Sequence, residues 1–126
     1  MLYADTDRGG VVYYASYLRW FEFGRTELFR AAGLTYADLE KSGILCPVAE
    51  LQCTYHHPAQ YDEILTIITW IQRLKRCSIT FGYTIQRNSD NILIVTGHTK
   101  HAFINRNFKC IRPPRHVLDA LNSLIV

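Results

Sequence analysis

A single amphipathic helix pattern stands at the front of this sequence, and almost every periodic stretch that follows alternates with a period of two. Between residues 14 and 32, Tyr14, Tyr17, Leu18, Phe21, Leu28, Ala31 and Ala32 recur at three- and four-residue steps, while Arg19, Glu22, Thr26 and Arg30 form the opposite stripe. Gly33 stands where helices commonly close in the left-handed conformation. Gly24, in mid-helix, costs about 1 kcal/mol against Ala, and its presence predicts close packing against a sheet or another helix. The aromatic residues of this stretch are first of all core material.

Behind the helix, Thr35 is placed to cap a short second helix over 36–41, with Asp38 as the acid of a capping box, and Ser42-Gly43 ends it. Ala49, Leu51, Cys53 and Tyr55 then alternate with Glu50, Gln52, Thr54 and His56, which predicts a half-buried strand that stops at His57-Pro58-Ala59. The run Ile64-Leu65-Thr66-Ile67-Ile68-Thr69-Trp70-Ile71 is apolar on both sides and predicts a central strand with both faces covered. After the basic bend Arg73-Leu74-Lys75-Arg76, the residues Cys77, Ile79, Phe81, Tyr83 and Ile85 alternate with polar or small neighbours in the clearest strand of the chain. Asn88-Ser89-Asp90-Asn91 reads as a turn, 92–105 as a long strand with Gly97 as a bulge site, and Pro113-Pro114 as the opening of a helix that buries Val117, Leu118, Leu121 and Leu124. One early helix followed by strands with short connections argues an α+β fold with an antiparallel sheet.

With 126 residues and 48% hydrophobic content, the expectation is one domain over 1–126 that buries about two thirds of its unfolded surface. Without an apolar run of bilayer length or a signal-peptide pattern, no membrane insertion is expected, and the expected place is the cytoplasm. Cys46, Cys53, Cys77 and Cys110 lack metal-ligand spacing, so reduced, buried thiols are expected. A net charge of +3 suits an anionic small ligand and does not argue for nucleic acid.

The chemistry is concentrated in Asp5-Thr6-Asp7-Arg8-Gly9-Gly10-Val11-Val12-Tyr13-Tyr14. Two carboxylates precede two glycines that permit a tight turn, and the turn delivers the chain to a helix start. There, N–H groups without intrahelical partners favour an anion or a developing oxyanion. By residue type alone, Asp5 and Asp7 are equally good candidates. The spacing is not a calcium loop: Gly10 falls on the sixth position, but Gly9 offers no side-chain oxygen and Ser16 stands where the bidentate Glu is needed. His98 and His101, three apart in a strand, point to opposite faces, and no nucleophile–histidine signature is present. No metal and no cofactor are expected.

The same stretch, with Tyr17, Trp20-Phe21-Glu22 and Arg25, resembles the signature of the 4-hydroxybenzoyl-CoA thioesterase family and, within it, the YbgC-like acyl-CoA thioesterases. The resemblance extends through Tyr55-x-x-Pro58-Ala59-x-Tyr61-Asp62. It implies the hotdog fold, a curved antiparallel sheet wrapped around a long central helix, and hydrolysis of an acyl-CoA to free acid and coenzyme A. It makes Asp7 the catalytic carboxylate, as nucleophile or general base, and demotes Asp5 to support. Tyr14 matches the position whose backbone N–H polarises the thioester carbonyl; many YbgC-like members carry His there, which bears on any side-chain role but not on a backbone donor. Lys75 and Arg76 match a basic pair that meets the phosphates of coenzyme A, with Arg112 and Arg115 as weaker candidates. Relatives begin with a full strand ahead of the motif, for which only Met1-Leu2-Tyr3 remain here. A homodimer or homotetramer with interfacial active sites is the implied assembly. The rivals are a hotdog dehydratase or isomerase, which would need a catalytic His near the helix where residues 3–33 hold none, and a non-catalytic module binding acyl carriers or proteins.

Overall fold

The computed structural model describes residues 1–7 and 9–125. After a 3-10 turn, Tyr3–Asp5, come α1 (Ser16–Ala31), α2 (Tyr36–Lys41), β1 (Val48–Tyr55), β2 (Leu65–Leu74), β3 (Ser78–Arg87), β4 (Leu93–Ala102) and α3 (Arg115–Asn122). The strands are antiparallel in the order β1-β4-β3-β2, and α1 lies on one face of the curved sheet, the hotdog arrangement expected from the sequence. Among the described residues no helix is long and apolar enough to cross a membrane.

The alternation in β3 places Ile79, Phe81, Tyr83 and Ile85 in the core, and their register partners on β4 are His101, Thr99, Gly97 and Val95. Phe21 of α1 stacks on Tyr83 with ring centroids 4.3 Å apart and planes at 9°. Gly97 makes this possible, because a Cβ there would stand 2.8 Å from the Phe21 ring and 2.5 Å from the Gln52 carbonyl oxygen. Gly97 is thus a close-approach residue and not the bulge expected; the irregularities fall at Val48/Glu50, Ile71/Arg73 and Ile85/Gln86. Gly24 does what its sequence position suggested: a Cβ would run into Thr69 Oγ1 and come within 3.2 Å of Ile67 Cγ2 on β2. Burying a side chain such as Phe21 contributes about 1.5–3 kcal/mol, and these two glycines let the helix sit low enough to do so.

Three expectations are corrected. The helix begins at Ser16, not at residue 14, because the Ser16 N–H donates to the Tyr13 carbonyl at 2.9 Å and holds Tyr14 and Ala15 in a turn. Its buried stripe is Tyr17, Phe21 and Phe29, and Tyr14 is 62% exposed. The closing signal is as read, with Gly33 at φ +79° and the Leu34 N–H returning to the Phe29 carbonyl at 2.9 Å. Second, β2 is an edge strand with one face open: α1 packs against its Ile67 and Thr69 side, while Ile68 and Trp70 are exposed, the latter lying over Gly82. Third, β1 is the opposite edge, and its apolar residues Val48, Leu51 and Tyr55 are exposed rather than half-buried.

Elsewhere the reading mostly holds. The Thr35 hydroxyl accepts the Asp38 N–H at 3.1 Å, and α3 buries Val117 and Leu121. The four cysteines are free thiols as expected, but the expectation of burial is corrected: Cys110 is exposed and the others are only partly buried. Ahead of the acidic motif the described residues form the 3-10 turn, not a strand.

Candidate active site

The acidic motif folds as a miniature hairpin. Tyr13 N–H donates to the Asp5 carbonyl at 2.7 Å, Thr6 bridges Val12, and Asp7 N–H donates to the Val11 carbonyl at 2.8 Å. Gly10, at φ +79°, completes the turn and donates its N–H to the Asp7 carbonyl at 3.1 Å. The hairpin is stitched to the second motif, because Val12 N–H donates to the Ala59 carbonyl at 2.8 Å and Val11 bridges Gln60. Ala59 N–H in turn donates to the Tyr17 hydroxyl at 3.2 Å, so α1, the hairpin and the 58–60 turn form one unit.

This geometry separates two carboxylates that residue type alone leaves equivalent. Asp5 is 2% exposed, ion-paired with Arg19, and accepts the Leu2 N–H at 2.8 Å. Asp7 is exposed at the hairpin tip, and one of its oxygens, Oδ1, accepts the Gly9 N–H at 2.8 Å. Among the described residues the other oxygen has no protein partner, and it is open to a substrate or a water.

Tyr14 leaves the hairpin into the turn before α1. Among the described residues its N–H has no protein acceptor, while its carbonyl accepts the Tyr55 hydroxyl at 3.0 Å. Asp7 and Tyr14 are not hydrogen-bonded to each other; Asp7 is at the tip of the hairpin and Tyr14 follows its base, next to the Asp5–Tyr13 bond.

Lys75 and Arg76 form the exposed bend between β2 and β3, where Lys75 N–H donates to the Ser78 carbonyl at 2.9 Å. The fold brings Arg112 to them: these three cations, with Leu74, Leu118 and Asn122, line a surface cavity of about 390 Å³. Arg115 is not there. It points along α3 towards Asp119, 3.8 Å away.

Sequence reasoning missed a cavity of about 490 Å³ whose lining includes Glu22, Arg25, Tyr36, Cys46 and Phe108. Among the described residues the Tyr36 hydroxyl is buried without a hydrogen-bond partner, and burial raises the pKa of the Tyr36 phenol and pushes the Cys46 thiol up to about 12. Beside it, His101 is buried with its ring nitrogens 3.1 Å from the Cys46 carbonyl and 2.8 Å from Thr99 Oγ1. Burial, opposed by the Cys46 carbonyl and aided by the Arg25 cation, brings its pKa down to about 4. It is a neutral core histidine. Nothing in the residue order announces these contacts, because α1, α2 and β4 meet there only in three dimensions.

Residues 1–121 match a family described as the Thioesterase-like superfamily. The chain belongs to that superfamily. Within it the resemblance is to YbgC-like members: 38% identity over 124 residues with the acyl-CoA thioesterase YbgC of Haemophilus influenzae, covering 97% of this chain and 90% of that protein. The putative acyl-CoA thioesterase YneP of Bacillus subtilis is 37% identical over 111 residues, 87% of this chain and 80% of its own length. Among solved structures, the DHNA-CoA thioesterase of Staphylococcus aureus superposes with a TM-score of 0.90 at 34% identity, over 98% of this chain and 85% of that one. The fold of this thioesterase-superfamily chain is therefore shared with a protein described as a DHNA-CoA thioesterase.

Proposed function

We propose that this protein hydrolyses the thioester of an acyl-CoA, with Asp7 as the catalytic carboxylate and the Tyr14 N–H as donor to the carbonyl oxygen. The observation that carries the assignment is the division of labour between the two acids: Asp5 is buried and paired, and Asp7 keeps an oxygen open beside the hairpin tip. As general base, Asp7 takes a proton from the water that attacks the carbonyl carbon. As nucleophile, it forms an anhydride with loss of the coenzyme A thiolate, and water then cleaves the anhydride. In both routes negative charge develops on the carbonyl oxygen, and a positioned N–H there is worth roughly 3–4 kcal/mol. Supporting the reading are the relatives' names, an acyl-CoA thioesterase in Haemophilus influenzae and a putative acyl-CoA thioesterase in Bacillus subtilis.

Lys75, Arg76 and Arg112 are the anchor for the phosphates of coenzyme A, on the strength of their shared cavity. Copies of the chain pair in a dimer or tetramer through the open β1 edge, and the enzyme works in the cytoplasm. The test is thiol release from a panel of acyl-CoAs, with Asp7→Asn as the control. Wild-type protein that releases no thiol from any of them refutes the reading.

A further inference from the structure

The donor ascribed to Tyr14 is only as good as its aim. The Tyr14 N–H lies in the plane of the peptide that joins Tyr13 to Tyr14, and the two dihedral angles at Tyr14 link that plane to the next peptide, so the N–H keeps one direction only if both peptides are held. The peptide before it is held, since the Tyr13 carbonyl accepts the Ser16 N–H at 2.9 Å. The peptide after it is not held by the helix. Leu18, whose N–H would reach back to Tyr14 in a regular α-helix, donates to the Ala15 carbonyl instead, at 3.2 Å. The Tyr14 carbonyl takes the Tyr55 hydroxyl, at 3.0 Å, across a sequence separation of 41 residues.

Tyr55 is well placed to hold something still. Its backbone is registered opposite Val95 in the sheet, and the next residue, His56, donates its N–H to the Ile94 carbonyl at 2.8 Å. Its ring packs beside Tyr17, with centroids 5.7 Å apart. Partial burial and the Cys53 thiol raise the phenol pKa to about 12, so the hydroxyl keeps its proton to donate through the neutral range.

We propose that Tyr55 is a positioning residue: its hydroxyl, fixed through the sheet, clamps the turn before α1 and thereby aims the Tyr14 N–H. The proposal rests on the reading of that N–H as the carbonyl's donor. Misplacing a reacting group by a fraction of an ångström costs rate without costing binding. Tyr55→Phe removes one oxygen from a half-exposed ring and leaves the ring's packing in place. In that variant kcat falls about 10-fold or more while KM stays within about twofold of wild type. Hydrogen exchange of the Ser16 amide, which closes this turn on the Tyr13 carbonyl, rises by about 10-fold, and exchange of the Phe81 and Thr99 amides in the sheet is unchanged. Wild-type kcat in Tyr55→Phe overturns the proposal. So does faster exchange throughout β3 and β4, which would make Tyr55 a brace of the whole fold. If wild-type protein cleaves no acyl-CoA, the thioesterase reading fails, and the Ser16 amide still decides: unchanged exchange in Tyr55→Phe overturns the clamp, and a rise confined to that turn supports it.

Discussion

Asp5 and Arg19 form an ion pair that ties the start of the acidic hairpin to the first turn of α1, with the carboxylate buried and the guanidinium side chain 58% exposed. Breaking a fully buried pair from one side costs about 3–5 kcal/mol, and the exposure of Arg19 brings the expected cost nearer to 1–3 kcal/mol. Asp5→Asn therefore lowers the melting temperature by roughly 5 °C or more and leaves most of the turnover of the molecules that remain folded. Asp7→Asn does the reverse: its melting temperature matches wild type and turnover falls by at least about 10²-fold, the scale of one positioned acid–base group. Thermal unfolding alongside steady-state kinetics on both variants checks this, and equal losses of turnover in the two would sink the assignment of Asp7.

The cluster at Lys75, Arg76 and Arg112 calls for a different signature. Phosphates far from the thioester are held equally in the ground and transition states, so removing the contacts raises KM and spares kcat. A charge-assisted hydrogen bond is worth about 1.5–3 kcal/mol when well formed, less when screened, so Lys75→Ala with Arg76→Ala raises KM by at least about 10-fold at low salt. An acyl-pantetheine thioester, which has no nucleotide, is cleaved as by wild type. Equal losses on both substrates would mean that the pair shapes the fold instead.

His101 makes stability depend on pH in a definite direction. Its pKa in the folded protein is about 4, against 6.5 for an unperturbed imidazole, so between these values the unfolded chain binds a proton that the native one refuses. The stabilising contribution is complete above about pH 6.5 and drains away as pH falls towards 4, to a total on the order of 3 kcal/mol. Chemical denaturation at a series of pH values follows it. In His101→Gln, whose amide can still reach the Cys46 carbonyl, the slope over that window flattens; an unchanged slope would assign the pH dependence to the carboxylates.

Local patterns made the fold readable and left the site half-readable. The alternation of Ile79, Phe81, Tyr83 and Ile85 and the cap at Thr35 each depend on neighbours in sequence, and both appear in the structure as read. The faces of β1 and β2 were misjudged because apolar content does not say whether a second layer exists; Trp70 covers Gly82 and solvent covers the rest. Gly97 was visible as an anomaly, but its cause, the Phe21 ring 2.8 Å from where a Cβ would be, comes from a helix some 70 residues away in the chain. The hairpin of Asp5 and Asp7 could be located from spacing and resemblance. Residue type and spacing do not say which of the two acids is free; only the resemblance points to Asp7, and the physical reason, the pairing of Asp5 with Arg19 on α1, lies outside the motif.

The exposed edge at β1 leads to the last prediction. Val48, Leu51 and Tyr55 are apolar and exposed, and among the described residues no strand pairs with the outer side of β1. An open edge of eight residues is an aggregation hazard unless it is paired, and a two-fold axis pairs such a strand with its own copy in antiparallel fashion. Leu51, near the middle of the strand, would then meet its counterpart close to the axis, and Tyr55 of one copy would approach Val48 of the other. Because Tyr55 also contacts the Tyr14 turn, pairing at this edge would set each active site beside the neighbouring chain. Light scattering at micromolar concentration is therefore expected to report a mass of at least two 14.6 kDa chains. Leu51→Lys places like charges together at the axis, so it shifts the protein towards monomer and lowers thioesterase activity while the monomer stays folded, since Leu51 adds little to the core of its own chain. A wild-type protein that scatters as a monomer, or a Leu51→Lys variant that stays assembled at full activity, would place any interface elsewhere than β1.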